Sequence, residues 1–189
     1  TNSIEQITIL GSTAAVSKLP GSGAYIGKEM LDTYAVTDIQ RILSSTAGVY
    51  FVEEDGYGLR PNIGMRGSSS DRSEKITIME DGVLAAPAPY ASPAAYYFPT
   101  VGRMQAVEIL KGGSTIEYGP RTSGGVINLV STAVPQNALG GKFDFALGSD
   151  GFSKLHTFVG GRNETSGGLV EIYNYQADGF KTLNSGQDT

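Results

Sequence analysis

The chain has 189 residues, of which 40% are hydrophobic, and a formal net charge of -5, so it can bury a core but offers no basic surface for nucleic acid. The absence of cysteine excludes disulfide frameworks, thiolate metal sites and thiol nucleophiles. With 26 glycines and 10 tyrosines, the composition favours strands and tight turns over long helices. No apolar run reaches the roughly 20 residues of a membrane helix, so any membrane contact must come through β-strands. No signal peptide begins at Thr1, as expected of a mature, trimmed or cytosolic chain.

The N-terminal region combines a short β-prone run with residues typical of flexible linkers. The run, Ile7–Leu10, stands between polar and small residues, and the segment Gly11–Gly23 contains three Gly, three Ser and one Pro. We expect residues 11–23 to form a flexible tether. Taken alone, the run fits any N-terminal edge strand.

The clearest helix signal follows this region. Four apolar residues share one helical face, namely Val36, Ile39, Ile42 and Leu43. Thr37 and Gln40 have the spacing of a capping box, and Gly48 is the expected stop. We expect the apolar stripe to pack on a sheet.

The middle of the chain alternates short strands with loops. The strand candidates are Val49–Val52, Ile76–Met79, Ala106–Leu110 and Val126–Val130. The stretch from Ala85 to Pro99 holds four of the eight prolines together with several aromatic residues. Because proline cannot donate to a β-ladder, this stretch is predicted to be an ordered loop.

Beyond Pro135 the pattern changes to longer alternating segments. Lys142–Leu147, Lys154–Val159 and Leu169–Ala177 are separated by turn-forming residues, which predicts an antiparallel meander. On periodicity alone the meander fits the edge of a sandwich as well as part of a membrane barrel. The polar tail Thr182–Thr189 is expected to be disordered.

The sequence shows no arrangement of residues that would support catalysis. We therefore predict that the chain is not an enzyme and that it holds neither a metal nor a cofactor. His156, the sole histidine, falls within a predicted strand with no carboxylate pattern around it. Gly112-Gly113 and Gly124-Gly125 lack the spacing of a phosphate-binding loop, so tight turns explain both pairs.

Four short motifs follow one another in the chain: Ile63–Gly67, Ile76–Val83, Met104–Gly113, and Tyr118-Gly119 followed by Gly124–Val130. In this order they resemble the signatures of TonB-dependent outer-membrane receptors. Met65-Arg66-Gly67 and Glu80-Asp81-Gly82 form the centre of the resemblance, which covers most of residues 30–131.

The resemblance implies an α+β plug, with a mixed short-stranded sheet and small helices, seated in a transmembrane β-barrel of about 22 strands. Residues 1–24 would be the coupling segment and tether, residues 25–134 the plug, residues 135–181 the first antiparallel barrel strands, and residues 182–189 a polar tail or loop. The chain is then expected to be a fragment of a larger receptor, because three strands cannot close a barrel and an open edge cannot persist in lipid. The expected location is the Gram-negative outer membrane, with a periplasmic N-terminus.

The resemblance also assigns a partner-coupling box near the N-terminus. Its residues are Ile4, Glu5, Gln6, Ile7, Thr8, Ile9 and Leu10. In the family such a segment pairs as an added strand with a TonB-type energy-coupling protein, which requires extended backbone on a flexible tether.

A plug–barrel lock is the second feature that the resemblance implies. The family's lock joins two plug arginines to two barrel glutamates. Arg66 matches the first arginine, whereas Lys111 stands at the second position and keeps the charge without the planar fork. The glutamates would lie beyond residue 189. The alternative is that both residues are solvated surface charges.

Ligand contact is expected at the apical loops. Ala88-Pro89-Tyr90 is similar to a loop of ferric-citrate receptors, and Gly56–Gly58 falls where those receptors have another ligand-facing turn. The candidate ligand-binding residues are Tyr57, Arg60, Pro89, Tyr90, Ser92, Tyr96 and Tyr97. Tyrosine offers rigid area and a hydroxyl donor. Arg72 and Arg103 add positive charge nearby, and the alternative is a packed apex that touches only barrel loops.

The sequence therefore predicts a transport receptor that imports a ferric chelate, with ferric citrate favoured. The same family leaves other siderophores, cobalamin or a sugar open as cargo. A soluble β-rich binding or signalling module that reuses the plug scaffold is the alternative from another class.

Overall fold

The computed structural model describes residues 8–34, 37–54, 58–85, 97–119 and 122–179. The chain forms two compact units, one made of Gln6–Thr132 and the other containing Ala133–Thr189. Among the described residues, no helix has both the length and the apolar character needed to cross a membrane.

The first unit has small helices and short strands. In chain order these are α1 (Thr13–Val16), β1 (Ser22–Gly27), α2 (Lys28–Tyr34), α3 (Ile39–Leu43), β2 (Val49–Val52), β3 (Asn62–Met65), β4 (Ile76–Glu80), β5 (Val83–Leu84), β6 (Met104–Lys111) and β7 (Gly125–Ser131). Short 3₁₀ turns occupy Asp71–Ser73, Val101–Arg103 and Gly113–Tyr118. The main sheet has the order β1-β6-β7-β4-β5, and β2 pairs with β3 in a separate two-stranded sheet.

The main sheet is mixed. Strands β4 and β7 run parallel, and the other neighbours are antiparallel. Strands β6 and β7 are buried on both faces, which explains their nearly continuous apolar sequence. One face packs against α3 and β3 through a core that includes Val107, Ile109, Ile127 and Leu129.

The opposite face of the main sheet is covered by residues 8–19, which we call the N-terminal strap. Leu10 of the strap packs with Leu110 and Val126 of the sheet, and Val16 and Leu19 of the strap lie against the same cluster. The segment expected to be a flexible tether, residues 11–23, thus contains α1 and the beginning of β1. Its glycines allow close approach: a Cβ at Gly23 would lie 2.7 Å from the carbonyl oxygen of Ile109.

The start of α3 differs from the predicted capping box of Thr37 and Gln40. Asp38 is the N-cap, with extended backbone, and its carboxylate accepts the N–H of Gln40 at 2.8 Å. The helix ends at Leu43, before the predicted stop at Gly48, and Ser44 caps it. Val36, which was expected on the apolar face, lies outside the described residues.

Gly125, one of the paired glycines, permits a close approach at the start of β7. A Cβ there would lie 2.5 Å from the sulfur of Met65 and 2.7 Å from the carbonyl oxygen of Leu110. Close packing within the strand, instead of the predicted tight turn, therefore explains this glycine, and no phosphate loop is needed.

The second unit is the predicted antiparallel meander. Its strands are β8 (Gly140–Leu147), β9 (Ser153–Arg162) and β10 (Gly167–Gln176), in the order β10-β9-β8. One face carries exposed apolar side chains, namely Phe143, Phe145, Leu147, Val159, Val170 and Ile172. The α+β unit with its mixed sheet and small helices, followed by antiparallel strands, is confirmed.

The other face of the meander is polar. The ammonium of Lys154 lies 3.3 Å from the carboxylate of Asp144, and Nε2 of His156 lies 2.8 Å from Oε1 of Glu171. The expectation that no carboxylate accompanies His156 was wrong, because the register places a glutamate of β10 diagonally across from it. The two faces therefore differ sharply in polarity.

Candidate functional site

The predicted coupling box ends at a turn of the strap that is bound to the main sheet. Residues 4–7 lie outside the described part of the chain, and Thr8, Ile9 and Leu10 form no regular strand. The backbone N–H of Ile9 donates to Oε2 of Glu108 at 2.7 Å. Those of Leu10 and Gly11 donate to Oε1 at 2.9 and 2.7 Å.

Glu108 is the acceptor of all three bonds and lies in the middle of β6, where it is 0% exposed. Its neighbours in register are Tyr25 of β1 and Asn128 of β7. Asn128 donates its side-chain amide to Oε2 of Glu108 at 2.9 Å. Burial, and after it the charge of Glu108, raises the pKa of Tyr25.

The sequence prediction missed Glu108 as a functional residue, although the signal was present. It is a single acid between Val107 and Ile109 in a strand that is otherwise largely apolar. A charged residue at such a position is rare unless it is paired, which marks it for attention.

The Glu80-Asp81-Gly82 motif forms a turn that is fixed to β7. The N–H of Gly82 donates to Oδ1 of Asn128 at 2.9 Å. Asp81 has φ of 49° and accepts bonds from the N–H and the hydroxyl of Ser131 at 2.9 and 2.6 Å. The motif therefore supports the sheet, and Asn128 links it to Glu108.

The predicted lock residues are close neighbours. Arg66 directly follows β3, has φ of 55° and is exposed. Its guanidinium lies over Gly112: a Cβ built on Gly112 would be 2.9 Å from one guanidinium nitrogen. Lys111 is 6% exposed and donates its ammonium to the carbonyl oxygen of Ala47 at 2.5 Å. Burial, followed by repulsion from Arg66, lowers the pKa of Lys111.

No acidic side chain within the described residues forms an ion pair with Arg66 or Lys111. Burial of Lys111 does not fit the alternative in which both residues are solvated surface charges. A cationic corner with one buried ammonium and one exposed guanidinium is therefore available to a carboxylate.

Most of the predicted ligand-binding residues, namely Tyr57, Pro89, Tyr90, Ser92 and Tyr96, lie outside the described part of the chain. Arg60 and Tyr97 are described and exposed. Arg103 contacts Oε1 of Glu80 at 2.5 Å, so its charge is already paired. Ligand contact by these residues remains a prediction. Within the described residues, no group of three or more His, Asp or Glu is placed to hold a metal ion.

Comparisons with known proteins agree with this architecture. The family model of the TonB-dependent receptor plug domain matches residues 15–126, more than half of the chain. The chain is 29% identical over 156 residues to the vitamin B12 transporter BtuB of Photobacterium profundum, covering 82% of this chain and 25% of that protein. It is 24% identical over 196 residues to BtuB of Vibrio vulnificus, covering 100% of this chain and 31% of that protein.

Two solved structures share the fold. The ferric citrate transporter FecA in the unliganded form matches with a TM-score of 0.73 at 24% identity, covering 88% of this chain and 27% of that one. The siderophore receptor PirA from Acinetobacter baumannii matches with a TM-score of 0.64 at 20% identity, covering 86% and 25%. The chain spans about a quarter of the length of these two proteins. Because the family match covers residues 15–126, the chain belongs to the TonB-dependent receptor plug domain family.

Proposed function

We propose that the chain gates an outer-membrane transport receptor that imports a ferric chelate, with ferric citrate as the favoured cargo. A TonB-type protein pairs with the coupling box, Ile4–Leu10, in the periplasm and pulls on it. The observation that carries the proposal is the attachment of the strap to the main sheet. Because the strap is continuous with the box, a pull on the box acts directly on the plug.

Two kinds of contact support this transmission of force. The strap buries Leu10 and partly buries Val16 and Leu19 against the sheet, while its backbone N–H groups bind Glu108. Apolar burial is non-directional, whereas the hydrogen bonds fix one register. The box is therefore held to the plug at a defined residue.

The lock follows from the cationic corner at Arg66 and Lys111. In the proposal a barrel carboxylate accepts both arms of the Arg66 guanidinium, and Lys111 adds charge from behind it. The ammonium of Lys111 already donates a hydrogen bond to the carbonyl oxygen of Ala47. Lys111 therefore contributes to the positive electrostatic potential at the site more than to the directional contact with the carboxylate.

The meander supplies the first strands of the barrel in this proposal. Its apolar face, which carries Phe143 and Ile172, would face lipid, and its polar face, which carries Lys154 and His156, would face the interior. Burial alternates with a period of two along β8, along most of β10 and over the first half of β9, which supports this assignment.

Vitamin B12 is the second candidate cargo. It is favoured by the two relatives that are named vitamin B12 transporters. Ferric citrate is favoured by the Ala88-Pro89-Tyr90 resemblance and is consistent with the fold of the ferric citrate transporter.

Replacing Ile7 with proline tests the coupling box. Proline removes a ladder donor, so strand pairing with the partner should fail and uptake should be abolished, while ligand binding by the intact protein stays unchanged. Radiolabelled uptake and equilibrium binding give the two readouts. Asn2→Pro, which lies outside the box, is the control. Normal uptake by Ile7→Pro would refute the coupling box.

Removal of Arg66 tests the lock. Arg66→Ala should destabilise the seated plug by about 1.5–3 kcal/mol in the intact protein, because charge-assisted hydrogen bonds are lost. A denaturant titration followed by hydrogen exchange of β6 and β7 measures this. Arg41→Ala, at another exposed arginine, should leave the midpoint unchanged. An equal midpoint for Arg66→Ala and the parent protein would count against the lock.

A matched pair of substitutions tests the membrane assignment. Val170 on the meander and Val83 on the plug are 67% and 66% exposed. Val170→Arg should lower the free energy of unfolding from the membrane by up to about 2–4 kcal/mol if this side chain faces the bilayer centre. Val83→Arg should have a free energy of unfolding within about 0.5 kcal/mol of that of the parent protein. Folding into lipid vesicles is the measurement, and equal small effects would favour the soluble-module alternative.

Calorimetric titration of the intact protein with each cargo decides between the candidates. We expect saturable binding of ferric citrate and none of cyanocobalamin, with iron-free citrate as the control for recognition of the chelate. Binding of cyanocobalamin alone would replace ferric citrate with the second candidate.

A further inference from the structure

The Glu108 carboxylate depends on the strap for its hydrogen bonds. A buried charge is costly unless donors surround it. Three of its donors are the N–H groups of Ile9, Leu10 and Gly11, and the fourth is the amide of Asn128. Within the described part of the chain, no Lys or Arg forms an ion pair with it. The strap backbone therefore provides most of its stabilisation.

The strap turn has the geometry of an anion-binding site. Three consecutive N–H groups point at one carboxylate, a concave arrangement that backbone turns use for anions. Gly11 has φ of +68°, which glycine adopts without strain. A Cβ at this position would also lie 3.2 Å from Oγ1 of Thr8.

The turn overlaps the end of the coupling box. Strand addition uses the N–H groups of alternate residues on an extended segment. If the partner strand pairs with the box as far as Leu10, one edge of the box presents the N–H of Ile9 and the other edge presents the N–H of Leu10. Pairing at either edge would therefore use one of these two groups. Both groups are already bound to Glu108, and the left-handed backbone at Gly11 ends any extended run.

We propose that Glu108 is a clasp that competes with the coupling protein for the end of the coupling box. The proposal rests on the coupling function proposed above. The Glu108 clasp consists of the carboxylate and the N–H groups of residues 9–11. While it is closed, the N–H groups of Ile9 and Leu10 are not available for strand pairing. Full pairing opens the clasp, and the pull then reaches the plug through the rest of the strap, whose Val16 and Leu19 pack against the main sheet.

The surroundings of Glu108 favour the closed state. Opening removes three donors from a carboxylate that lies at the centre of a sheet buried on both faces. After burial, the charge of Glu108 contributes to raising the pKa of Tyr25 and, together with Glu117, that of Tyr118. Both phenols, like any tyrosine, are neutral at neutral pH, so neither adds a negative charge beside the carboxylate.

Hydrogen exchange of the intact protein without ligand tests the clasp at the atoms concerned. Glu108→Gln replaces one accepting oxygen with a donor, and Gly11→Ala strains the turn from the opposite side. Each change should speed exchange at residues 9–11 by about tenfold or more, with β6 and β7 unchanged. The double variant should be no faster than the faster single variant, because both remove the same contact.

Two matched controls accompany these variants. Glu117→Gln changes an exposed glutamate close to the same face, and Gly113→Ala changes a glycine with no atom within 4 Å of the added Cβ. Both should leave exchange at residues 9–11 as in the parent. If Glu108→Gln disturbs folding, Gly11→Ala still decides the question, because Gly11 is exposed and lies outside the sheet.

Unchanged exchange at residues 9–11 in Gly11→Ala or in a folded Glu108→Gln would overturn the clasp, as would multiplicative effects in the double variant. Failure of the clasp is distinct from failure of the coupling function. Faster exchange with normal uptake by Ile7→Pro supports the bonds between residues 9–11 and Glu108 but refutes the coupling box, and with it the competition for that segment. Unchanged exchange with uptake abolished by Ile7→Pro does the reverse.

Discussion

A buried carboxylate at the centre of the plug sheet is the constraint on which the rest of the structure depends. Glu108 lies in a layer of apolar strands, where an unsatisfied charge would cost several kcal/mol. Its donors come from the N-terminal strap and from Asn128 of β7. Because Asn128 also accepts the N–H of Gly82, one polar network fixes the strap and the Glu80-Asp81-Gly82 turn to the same two strands.

Because of this network, the two faces of the main sheet make different kinds of contact. On one face, aliphatic side chains of β6 and β7 pack with α3 and β3, as in an ordinary core. On the other face, the same strands hold the strap through a small apolar cluster and the Glu108 carboxylate. A large apolar interface would bind the strap permanently, whereas few contacts with directional bonds allow a defined attachment that can be opened.

The sequence predicted β2, β4, β6 and β7 because alternation and apolar runs are strong signals, but it did not predict β3, which is buried at every position. Val49–Val52 was predicted with its observed bounds, and β4, β6 and β7 extend their predictions by one to three residues in total. Strand β1 was missed because its Ser and Gly residues favour a linker, and tertiary pairing with β6 overrides that preference. The Asp38 cap and the role of Glu108 depend on which atoms the fold brings together, and sequence spacing does not contain that information.

Strand β6 also connects the proposed coupling and locking functions. Successive side chains point to opposite faces of a strand, so Glu108 faces the strap and Lys111 faces the turn that contains Ala47. A force that opens the clasp therefore acts on the strand whose last residue, Lys111, is close enough to Arg66 for the two charges to repel each other. Lys111, which stands where the resemblance predicts a second arginine, retains the positive charge, but its hydrogen bond to a plug carbonyl keeps that charge on the plug. Under the proposed lock, its directional part would fall on Arg66 alone, and release of the plug would then require breaking one bidentate contact instead of two.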